Sequence, residues 1–438
     1  MTLLERHRNV LPNWIGLYYD QPIQLVDGQG CCVRDAEGRE YLDFFGGILT
    51  TMAGYNVPEI VQAIQRQAER MVHTSTLYLI EPMIELAELI VSLAPMPNAK
   101  VFFTASGSEA TDLALMLATT VRRSNQVLAL RNSYHGRSFA AQAITGIRGW
   151  SASSLSPLNV SYVQSGYKYR SPFKYLDDDA YAAACATDLR DVILTCTAGD
   201  VAAFIAEPIQ GVGGFVVPPP NYFRALKEVL DEYGILYISD EVQTGWGRTG
   251  EAFWGCQAYG VQPDVVTFAK GIANGLTMGG VIARAEIMDS VQANSISTFG
   301  GNPLSSTAGL ATLRYVLDHD LQANAKKVGD HMLQRLKSLE GRYPCVGQVR
   351  GKGLMIAVEV VEPDGRPAPA KTNAIHEATK RRGLLLGKGG FFGNCFRIAP
   401  PLSVTLEEAD KACDIIEACM KSPLPPSRER VRERAPRP

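Results

Sequence analysis

The middle of this chain alternates short apolar segments with helical segments, and this alternation limits the possible folds more than any other feature. Short apolar runs bounded by turn residues are typical of buried strands, whereas apolar residues that recur every three and four positions indicate a helix. One such helix is predicted over residues 221–234, between two apolar runs. The pattern predicts an α/β fold with a mainly parallel sheet that is covered on both faces. The predicted strands are VFFT (101–104), QVLAL (126–130), VAAFIAEP (201–208), ILYISDEV (235–242) and DVVTFAK (264–270).

The same patterns divide the chain into regions. Residues 1–57 are expected to be an N-terminal arm with short strands that belongs to a smaller domain. Residues 58–304 are expected to form a large domain, and residues 305–422 the C-terminal part of the small domain. Residues 423–438 are rich in proline and arginine, which predicts a disordered tail. Within the C-terminal region a strand is predicted at 355–361, and helices near 372–382 and from about 405 to 421.

The composition is that of an ordinary globular protein. Of 438 residues 46% are apolar and 20% are charged, and the formal net charge is −2, so neither a nucleic acid nor a membrane is expected as a partner. The nine cysteines include no C-x-x-C pair, which predicts reduced thiols and no metal site. The charged start MTLLERHRNV is unlike a signal peptide, and a cytoplasmic location is expected.

Two of the apolar strands end in residues of opposite charge. Asp240 follows ILYIS, and Lys270 follows DVVTFA; the intervening chain is long enough for one crossover to a neighbouring strand. In a parallel sheet both residues would lie at the carboxyl edge, where α/β proteins bind ligands. Burial there would lower the pKa of the lysine and make its amine a nucleophile. Taken alone, Asp240 could cap a loop and Lys270 could be a solvated charge.

A third segment, FFTASGSEATDLAL (102–115), predicts an anion site. The strand runs through Ser106, Gly107 and Ser108 directly into a helix, so backbone N–H groups and the positive helix end face one point. The same residues also form an ordinary N-cap, and neither a Walker A loop nor a G-x-G-x-x-G fingerprint is present. A phosphate cradle, a buried lysine and a strand-end carboxylate together are what pyridoxal phosphate requires, with the lysine as Schiff base.

Segments along nearly the whole chain resemble the class III aminotransferases of the fold-type-I pyridoxal phosphate family, most closely the alanine–glyoxylate aminotransferase 2 group. The resemblance implies a large domain with a mainly parallel seven-stranded sheet, and a smaller α+β domain formed by the N-terminal arm and the C-terminal segment. The segments are GLYYDQPI (16–23), YLDFFGGI (41–48), HTST (73–76), SGSEA (106–110), YHGRS (134–138), AEPIQGVGG (206–214), DEVQTGWGRTG (240–250), AKGIANG (269–275), TFGGNP (298–303), VRGKGLM (349–355) and FRIAPPL (396–402).

The resemblance implies roles for individual residues. Lys270 would be the Schiff-base lysine and would move a proton between the substrate Cα and the cofactor C4′, while Asp240 would pair with the pyridine nitrogen. Arg397 would bind the substrate carboxylate, which suits its two-pronged guanidinium. Thr298 would reach the phosphate of a neighbouring subunit, so a homodimer with shared active sites is expected. The other implied cofactor contacts are Ser106, Gly107 and Ser108 at the phosphate, Tyr134 stacked on the ring, Glu207 nearby, Val242 on the ring face and Gln243 near the phenolic oxygen.

One position narrows the expected substrates. Several relatives that use 2-oxoglutarate carry, after the QG of the EPIQG motif, a glutamate that pairs with the carboxylate-binding arginine; here the residue is Val212. Arg397 is therefore expected to stay free in both halves of a ping-pong cycle. The expected donor is alanine, β-alanine or a similar amino acid or ω-amino acid, and the acceptor is glyoxylate or pyruvate. The alternative is a lyase of the phospholyase type, an aminomutase or a racemase, which would use the same cofactor.

Some assignments also have an ordinary structural alternative. Tyr134 could pack in the core, Arg397 could form a surface ion pair, and Thr298 could cap a turn. His135, which follows Tyr134, is interpreted as structural.

Overall fold

The computed structural model describes residues 1–421, which form two seven-stranded sheets and the helices that cover them. The predicted tail at 423–438 lies outside the described residues. Within residues 1–421 no helix is long and apolar enough to cross a membrane. The strands are β1 (Leu25–Gln29), β2 (Cys32–Asp35), β3 (Glu40–Phe44), β4 (Ala99–Thr104), β5 (Gln126–Leu130), β6 (Asn159–Val163), β7 (Ala203–Ala206), β8 (Leu236–Asp240), β9 (Val265–Phe268), β10 (Gly279–Arg284), β11 (Val346–Lys352), β12 (Met355–Val360), β13 (Leu384–Gly389) and β14 (Cys395–Ile398).

The helices follow the apolar periodicity of the sequence, and several begin at a proline or at a capping side chain. They are α1 (Leu3–Val10), α2 (Gly46–Leu49), α3 (Pro58–Arg70), α4 (Glu81–Ser92), α5 (Gly107–Arg122), α6 (Phe139–Ala143), α7 (Asp178–Cys196), α8 (Tyr222–Glu232), α9 (Ala285–Met288), α10 (Pro303–Asp318), α11 (Leu321–Lys337), α12 (Pro369–Arg381) and α13 (Leu406–Lys421). Short 3₁₀ turns span Arg148–Trp150, Lys168–Arg170, Gly255–Tyr259 and Lys270–Ala273.

The central sheet confirms the predicted α/β fold. Its strand order is β4–β10–β9–β8–β7–β5–β6. All neighbouring pairs from β9 to β6 are parallel, whereas β10 runs antiparallel to both β4 and β9. The five strands predicted from apolar runs correspond to β4, β5, β7, β8 and β9. The antiparallel strand β10 was not predicted.

Alternate residues of the central strands face two different helix layers. In β5, Val127 and Ala129 pack in a cluster with apolar residues of α5. Leu128 and Leu130 point to the opposite face, where they join the larger core with residues of α7, α8 and α10. Because both faces are covered, the strands consist of continuous apolar runs and do not alternate with polar residues.

The second sheet joins the two ends of the chain. Its order is β1–β2–β3–β13–β14–β12–β11, and the parallel pairing of β3 with β13 places Leu42 opposite Leu384. Strands of the predicted N-terminal arm therefore share a sheet with strands of the predicted C-terminal region. Helices α11 and α12 pack on this sheet, and α13 contacts both of these helices.

The carboxyl ends of the central strands meet at one edge of the sheet. β8 ends at Asp240, β9 is followed closely by Lys270, and the chain leaves β4 through Ser106 into α5. These are the three features that the sequence predicts to lie together, and all three reach the same edge because β4, β8 and β9 run in the same direction.

Candidate active site

A cavity of about 340 Å³ lies at this edge of the central sheet. It is lined by every predicted site residue except Thr298 and Arg397. The topology therefore gathers residues that are up to 228 positions apart in the chain, from Thr50 to Met278, into one concave site. The lining residues are Thr50, Ala105, Ser106, Gly107, Ser108, Tyr134, His135, Gly136, Arg137, Glu207, Asp240, Val242, Gln243, Ala269, Lys270, Gly275, Leu276, Thr277 and Met278.

Asp240 is held in place by a buried histidine. Its Oδ2 lies 2.6 Å from Nδ1 of His135, and its Oδ1 accepts a hydrogen bond of 3.1 Å from the backbone N–H of Val242. Since an ionised carboxylate can only accept, Nδ1 of His135 is the donor. Burial lowers the pKa of His135, but the hydrogen bond and the negative charge of Asp240 outweigh it, so the pKa is raised overall. The pair fixes the orientation of the Asp240 carboxylate toward the cavity.

Lys270 has a backbone and an environment suited to a functional amine. Its φ of +52° is in the left-handed region, which is uncommon for a residue with a side chain and is often found at functional sites. Burial lowers the pKa of Lys270, as does the positive charge of Arg397, whereas Asp240 and Glu207 raise it; the net direction is downward. The amine is therefore more readily deprotonated than that of a surface lysine, which favours nucleophilic attack and proton transfer.

Glu207 connects two loops of the site. Its carboxylate accepts one hydrogen bond of 3.0 Å from the backbone N–H of Tyr134 and another of 2.7 Å from that of Gly211. Burial raises its pKa to about 7, and repulsion from Asp240 acts in the same direction, although His135 and the two backbone N–H groups oppose the rise. Glu207 thus ties Tyr134 to the loop that contains Val212 and contributes negative charge near Lys270.

The start of α5 is the segment that the sequence predicts to hold a phosphate. Ser106 is the N-cap residue, and its hydroxyl accepts a 3.3 Å hydrogen bond from the N–H of Glu109. The Oγ of Ser108 accepts a 3.0 Å bond from the N–H of Arg137. Gly136 must be a glycine, because its φ is +139° and an added Cβ would lie 2.5 Å from Ser108 Oγ. Backbone N–H groups and the positive helix end therefore face the cavity beside Arg137.

Arg397 lies outside the cavity lining but is buried close to it. Its Nη2 donates a 3.1 Å hydrogen bond to the carbonyl of Lys388, while Nε and Nη1 are buried without a hydrogen-bond partner. The guanidinium carbon lies 4.8 Å from the ring centre of Phe45 and 5.7 Å from that of Phe215. The alternative interpretation of Arg397 as a surface ion pair is wrong, since Arg397 is buried and its Nε and Nη1 have no partner among residues 1–421. Two unpaired N–H groups on a buried cation are typical of an anion-binding site.

Thr298 is exposed and does not line the cavity within one chain. The segment around it contacts the HTST segment through the hydroxyl of Thr76, which donates to the carbonyl of Ser297, and through the rings of His73 and Phe299. Some lining residues, among them Thr50 and Arg137, are not predicted from the sequence. Arg137 lies in the quoted YHGRS segment, whereas Thr50 has no local signal.

A family model described as aminotransferase class-III matches residues 18–420. The chain belongs to this family. An Arabidopsis thaliana protein named alanine–glyoxylate aminotransferase 2 homolog 2, mitochondrial, is 38% identical over 96% of this chain and 87% of its own length. An alanine/serine racemase of Pyrococcus horikoshii is also 38% identical, over 96% of this chain and 90% of its own. Among solved structures, an Arthrobacter phospholyase in complex with phosphoethanolamine is 33% identical with a TM-score of 0.89, covering 97% of this chain and 100% of its own.

Class III aminotransferases use pyridoxal phosphate, and this protein is a pyridoxal-phosphate-dependent transaminase of that class. The residues present fit the cofactor. A helix N-terminus with Ser108 suits a phosphate, a carboxylate oriented by His135 suits a pyridinium nitrogen, and Lys270 suits a carbonyl carbon. The side-chain oxygen of Gln243 is buried without a partner and also lines the cavity. Within residues 1–421 no cluster of His, Cys, Asp or Glu could hold a metal ion.

Proposed function

We propose that this transaminase moves an amino group from an amino acid or ω-amino acid, such as alanine or β-alanine, to a small 2-oxo acid such as glyoxylate or pyruvate in a ping-pong cycle. The observation that carries the proposal is the Arg397 guanidinium, which is buried and has two unpartnered N–H groups. A substrate carboxylate would accept from one of these unpartnered groups, and the pairing would be strong because it is charge-assisted and shielded from water.

The surroundings of Arg397 support small monocarboxylic substrates. A Cβ placed on Gly389 would lie 2.8 Å from Arg397 Nε and 2.9 Å from the carbonyl oxygen of Val212. The Val212 backbone and the guanidinium are thus neighbours, and the apolar side chain at 212 cannot neutralise the arginine. The same cation is then available to the donor in the first half-reaction and to the acceptor in the second.

The side chains around the cavity suggest how the reaction proceeds. When bound, pyridoxal phosphate supplies a ring that stabilises the negative charge left at the substrate Cα after its C–H bond breaks. Asp240, oriented by His135, would keep the pyridine nitrogen protonated, and Tyr134 and Val242 would hold the ring. Lys270, with its lowered pKa, would take the proton from the substrate Cα and return it at the C4′ position. Arg397 would fix the carboxylate, so that only the Cα–H bond points toward Lys270.

The roles at the phosphate end belong to the same proposal. Ser106, Gly107 and Ser108 at the start of α5 would hold the phosphate, and Gln243 would approach the phenolic oxygen. Glu207 would keep the Tyr134 loop in place through its hydrogen bond to the backbone.

A homodimer with shared active sites is proposed for this protein. Thr298 lies beside a group of exposed apolar side chains, here named the apolar rim, of which Leu79 is 93% exposed and Phe299 64%. Exposed apolar side chains in such number are typical of a protein interface. Burying the rim against a second copy would place Thr298 near the partner's phosphate cradle. Sedimentation velocity should give a dimer; a monomer at micromolar concentration would refute this part. The rim consists of Leu77, Tyr78, Leu79, Ile296 and Phe299.

A cytoplasmic location is also proposed. It is supported by the cysteines, since all nine are free, which fits a reducing compartment. Fractionation of source cells would test it, and recovery of the protein in an organelle fraction would overturn it.

The substrate proposal is tested by an acceptor panel with alanine or β-alanine as donor. Wild-type enzyme should use glyoxylate and pyruvate and should use 2-oxoglutarate poorly. Strong activity with 2-oxoglutarate and none with pyruvate would refute the assignment. Release of ammonia or phosphate without any acceptor would support the lyase alternative instead, and formation of D-alanine alone would support a racemase.

A further inference from the structure

We propose that Tyr18 of the N-terminal arm is a positioning residue for Arg397, acting through the Lys388 peptide and the ring of Phe45. The inference rests on the proposed function, since it concerns how the carboxylate-binding arginine is held. Tyr18 lies 379 positions before Arg397 in the chain, and its side chain is partly exposed.

The first connection is a pair of hydrogen bonds to one residue. The Tyr18 hydroxyl donates a 2.9 Å bond to the carbonyl of Lys388, and it accepts a short bond from the Lys388 backbone N–H. The same Lys388 carbonyl accepts the 3.1 Å bond from Arg397 Nη2. A single carbonyl oxygen is therefore shared by the Tyr18 hydroxyl and the Arg397 guanidinium, so the tyrosine fixes the acceptor that orients the arginine.

The second connection runs through the ring of Phe45. The rings of Tyr18 and Phe45 are nearly parallel, with centres 5.7 Å apart and an interplanar angle of 4°. The guanidinium carbon of Arg397 lies 4.8 Å from the centre of the same Phe45 ring. Phe45 is thus in contact with Tyr18 and with Arg397, and the position of the Tyr18 ring limits where the guanidinium plane can lie.

Arg397 depends on these contacts because it has little else to orient it. Within residues 1–421 its guanidinium makes one hydrogen bond, to Lys388, and no carboxylate pairs with it. A free guanidinium on a flexible side chain loses conformational entropy when it binds a carboxylate. An arginine already held by Lys388 and Phe45 loses less, so its affinity for the carboxylate is higher.

The arm itself is anchored by neighbours of Tyr18. The ring of Tyr19 stacks on that of His376 with centres 4.4 Å apart, and the backbone N–H of Asp20 donates a 2.6 Å bond to Glu377. These contacts do not involve the Tyr18 hydroxyl. The change Tyr18→Phe therefore removes the two bonds to Lys388 and leaves the arm attached. Tyr19→Phe is a matched control because it removes a hydroxyl from the neighbouring residue that bonds neither to Lys388 nor to Arg397.

The test measures binding of propionate, an unreactive carboxylate, to the holoenzyme. Its dissociation constant is obtained from the shift of the cofactor absorption band at constant ionic strength, for wild type, Tyr18→Phe, Tyr19→Phe and Arg397→Met. A net hydrogen bond contributes about 0.5–1.5 kcal/mol, so Tyr18→Phe should weaken propionate binding about 2- to 12-fold. Tyr19→Phe should bind like wild type. In turnover, KM for alanine should rise in Tyr18→Phe while kcat changes less than about twofold.

Each outcome separates the two proposals. If Arg397→Met binds propionate as well as wild type, or if wild type does not bind it, the carboxylate site itself is wrong and the proposed function fails. If Arg397→Met loses binding while Tyr18→Phe binds like wild type, only the positioning role is refuted. An equal loss in Tyr18→Phe and Tyr19→Phe would also refute it, because it would indicate a general loosening of the arm. Equal unfolding midpoints of the two tyrosine variants complete the control.

Discussion

The change Val212→Glu should neutralise the carboxylate-binding arginine. The structure places the Val212 backbone and Arg397 Nε against the same point beside Gly389, so a glutamate at 212 would be close to a guanidinium that has two N–H groups to donate. At a separation of about 4 Å and an effective dielectric constant of about 20, the attraction is about 4 kcal/mol. Removing both charges from water offsets part of this, and measured couplings of close charge pairs start at about 1.5 kcal/mol.

A net pairing of about 1.5 to 3 kcal/mol has to be broken before alanine can bind. KM for alanine should therefore rise about 10- to 150-fold. The assay is the initial rate with alanine and glyoxylate, with each substrate varied at saturation of the other. Val212→Gln is the control, because it has nearly the same size as glutamate without the charge, and it should change KM less than about threefold. If the glutamine and glutamate variants behave alike, the effect is steric, and the proximity argument for Arg397 is refuted.

Three further changes test other parts of the site. Lys270→Ala should lower kcat at least about 10³-fold while the far-ultraviolet circular dichroism stays unchanged; a loss below tenfold would remove Lys270 from the chemistry. Gly136→Ala would bring a Cβ within 2.5 Å of Ser108 Oγ, so the cofactor dissociation constant, measured by equilibrium dialysis, should rise at least about tenfold; unchanged cofactor affinity would contradict the cradle. Burial raises the pKa of Glu207 from 4.5 to about 7, so the folded apoenzyme binds this proton more tightly than the unfolded chain does. The stability contributed by Glu207 is then present below pH 4.5 and is lost as the pH rises through about 7. Between pH 4.5 and 7 the free energy of unfolding in urea should fall less for the Glu207→Gln apoenzyme than for the wild-type apoenzyme, by up to about 3 kcal/mol. Parallel pH profiles of the two proteins would refute the raised pKa.

The elements with strong local patterns were predictable from the sequence. The run ILYISDEV (235–242) contains β8, which ends at Asp240. The run DVVTFAK (264–270) contains β9 and ends with Lys270. Parallel strands bring their carboxyl ends to the same edge, so the meeting of Asp240 and Lys270 followed from strand order along the chain. The pairing of β3 with β13 and the insertion of the antiparallel β10 between β4 and β9 have no local signal. They depend on contacts between distant segments.

The site residues likewise divide into those with a local sequence signal and those without one. Residues in recognisable motifs, such as Ser108 and Gln243, line the cavity. The sequence indicates only a structural role for His135, because no local signal shows its contact with Asp240, which is 105 positions away in the chain. The link from Tyr18 through Lys388 to Arg397 spans nearly the whole chain and appears only when β13 and β14 pair. The proposed domain boundaries and the role of Thr298 stay predictions.

In the proposed ping-pong cycle, the amino group taken from the donor stays on the enzyme until an acceptor binds. Holoenzyme is mixed with an excess of alanine and no acceptor, and pyruvate, ammonia and D-alanine are quantified over time per bound cofactor. We predict one pyruvate per cofactor, after which the reaction stops until glyoxylate is added, with neither ammonia nor D-alanine formed. Continued release of pyruvate with ammonia, or accumulation of D-alanine without pyruvate, would contradict the account.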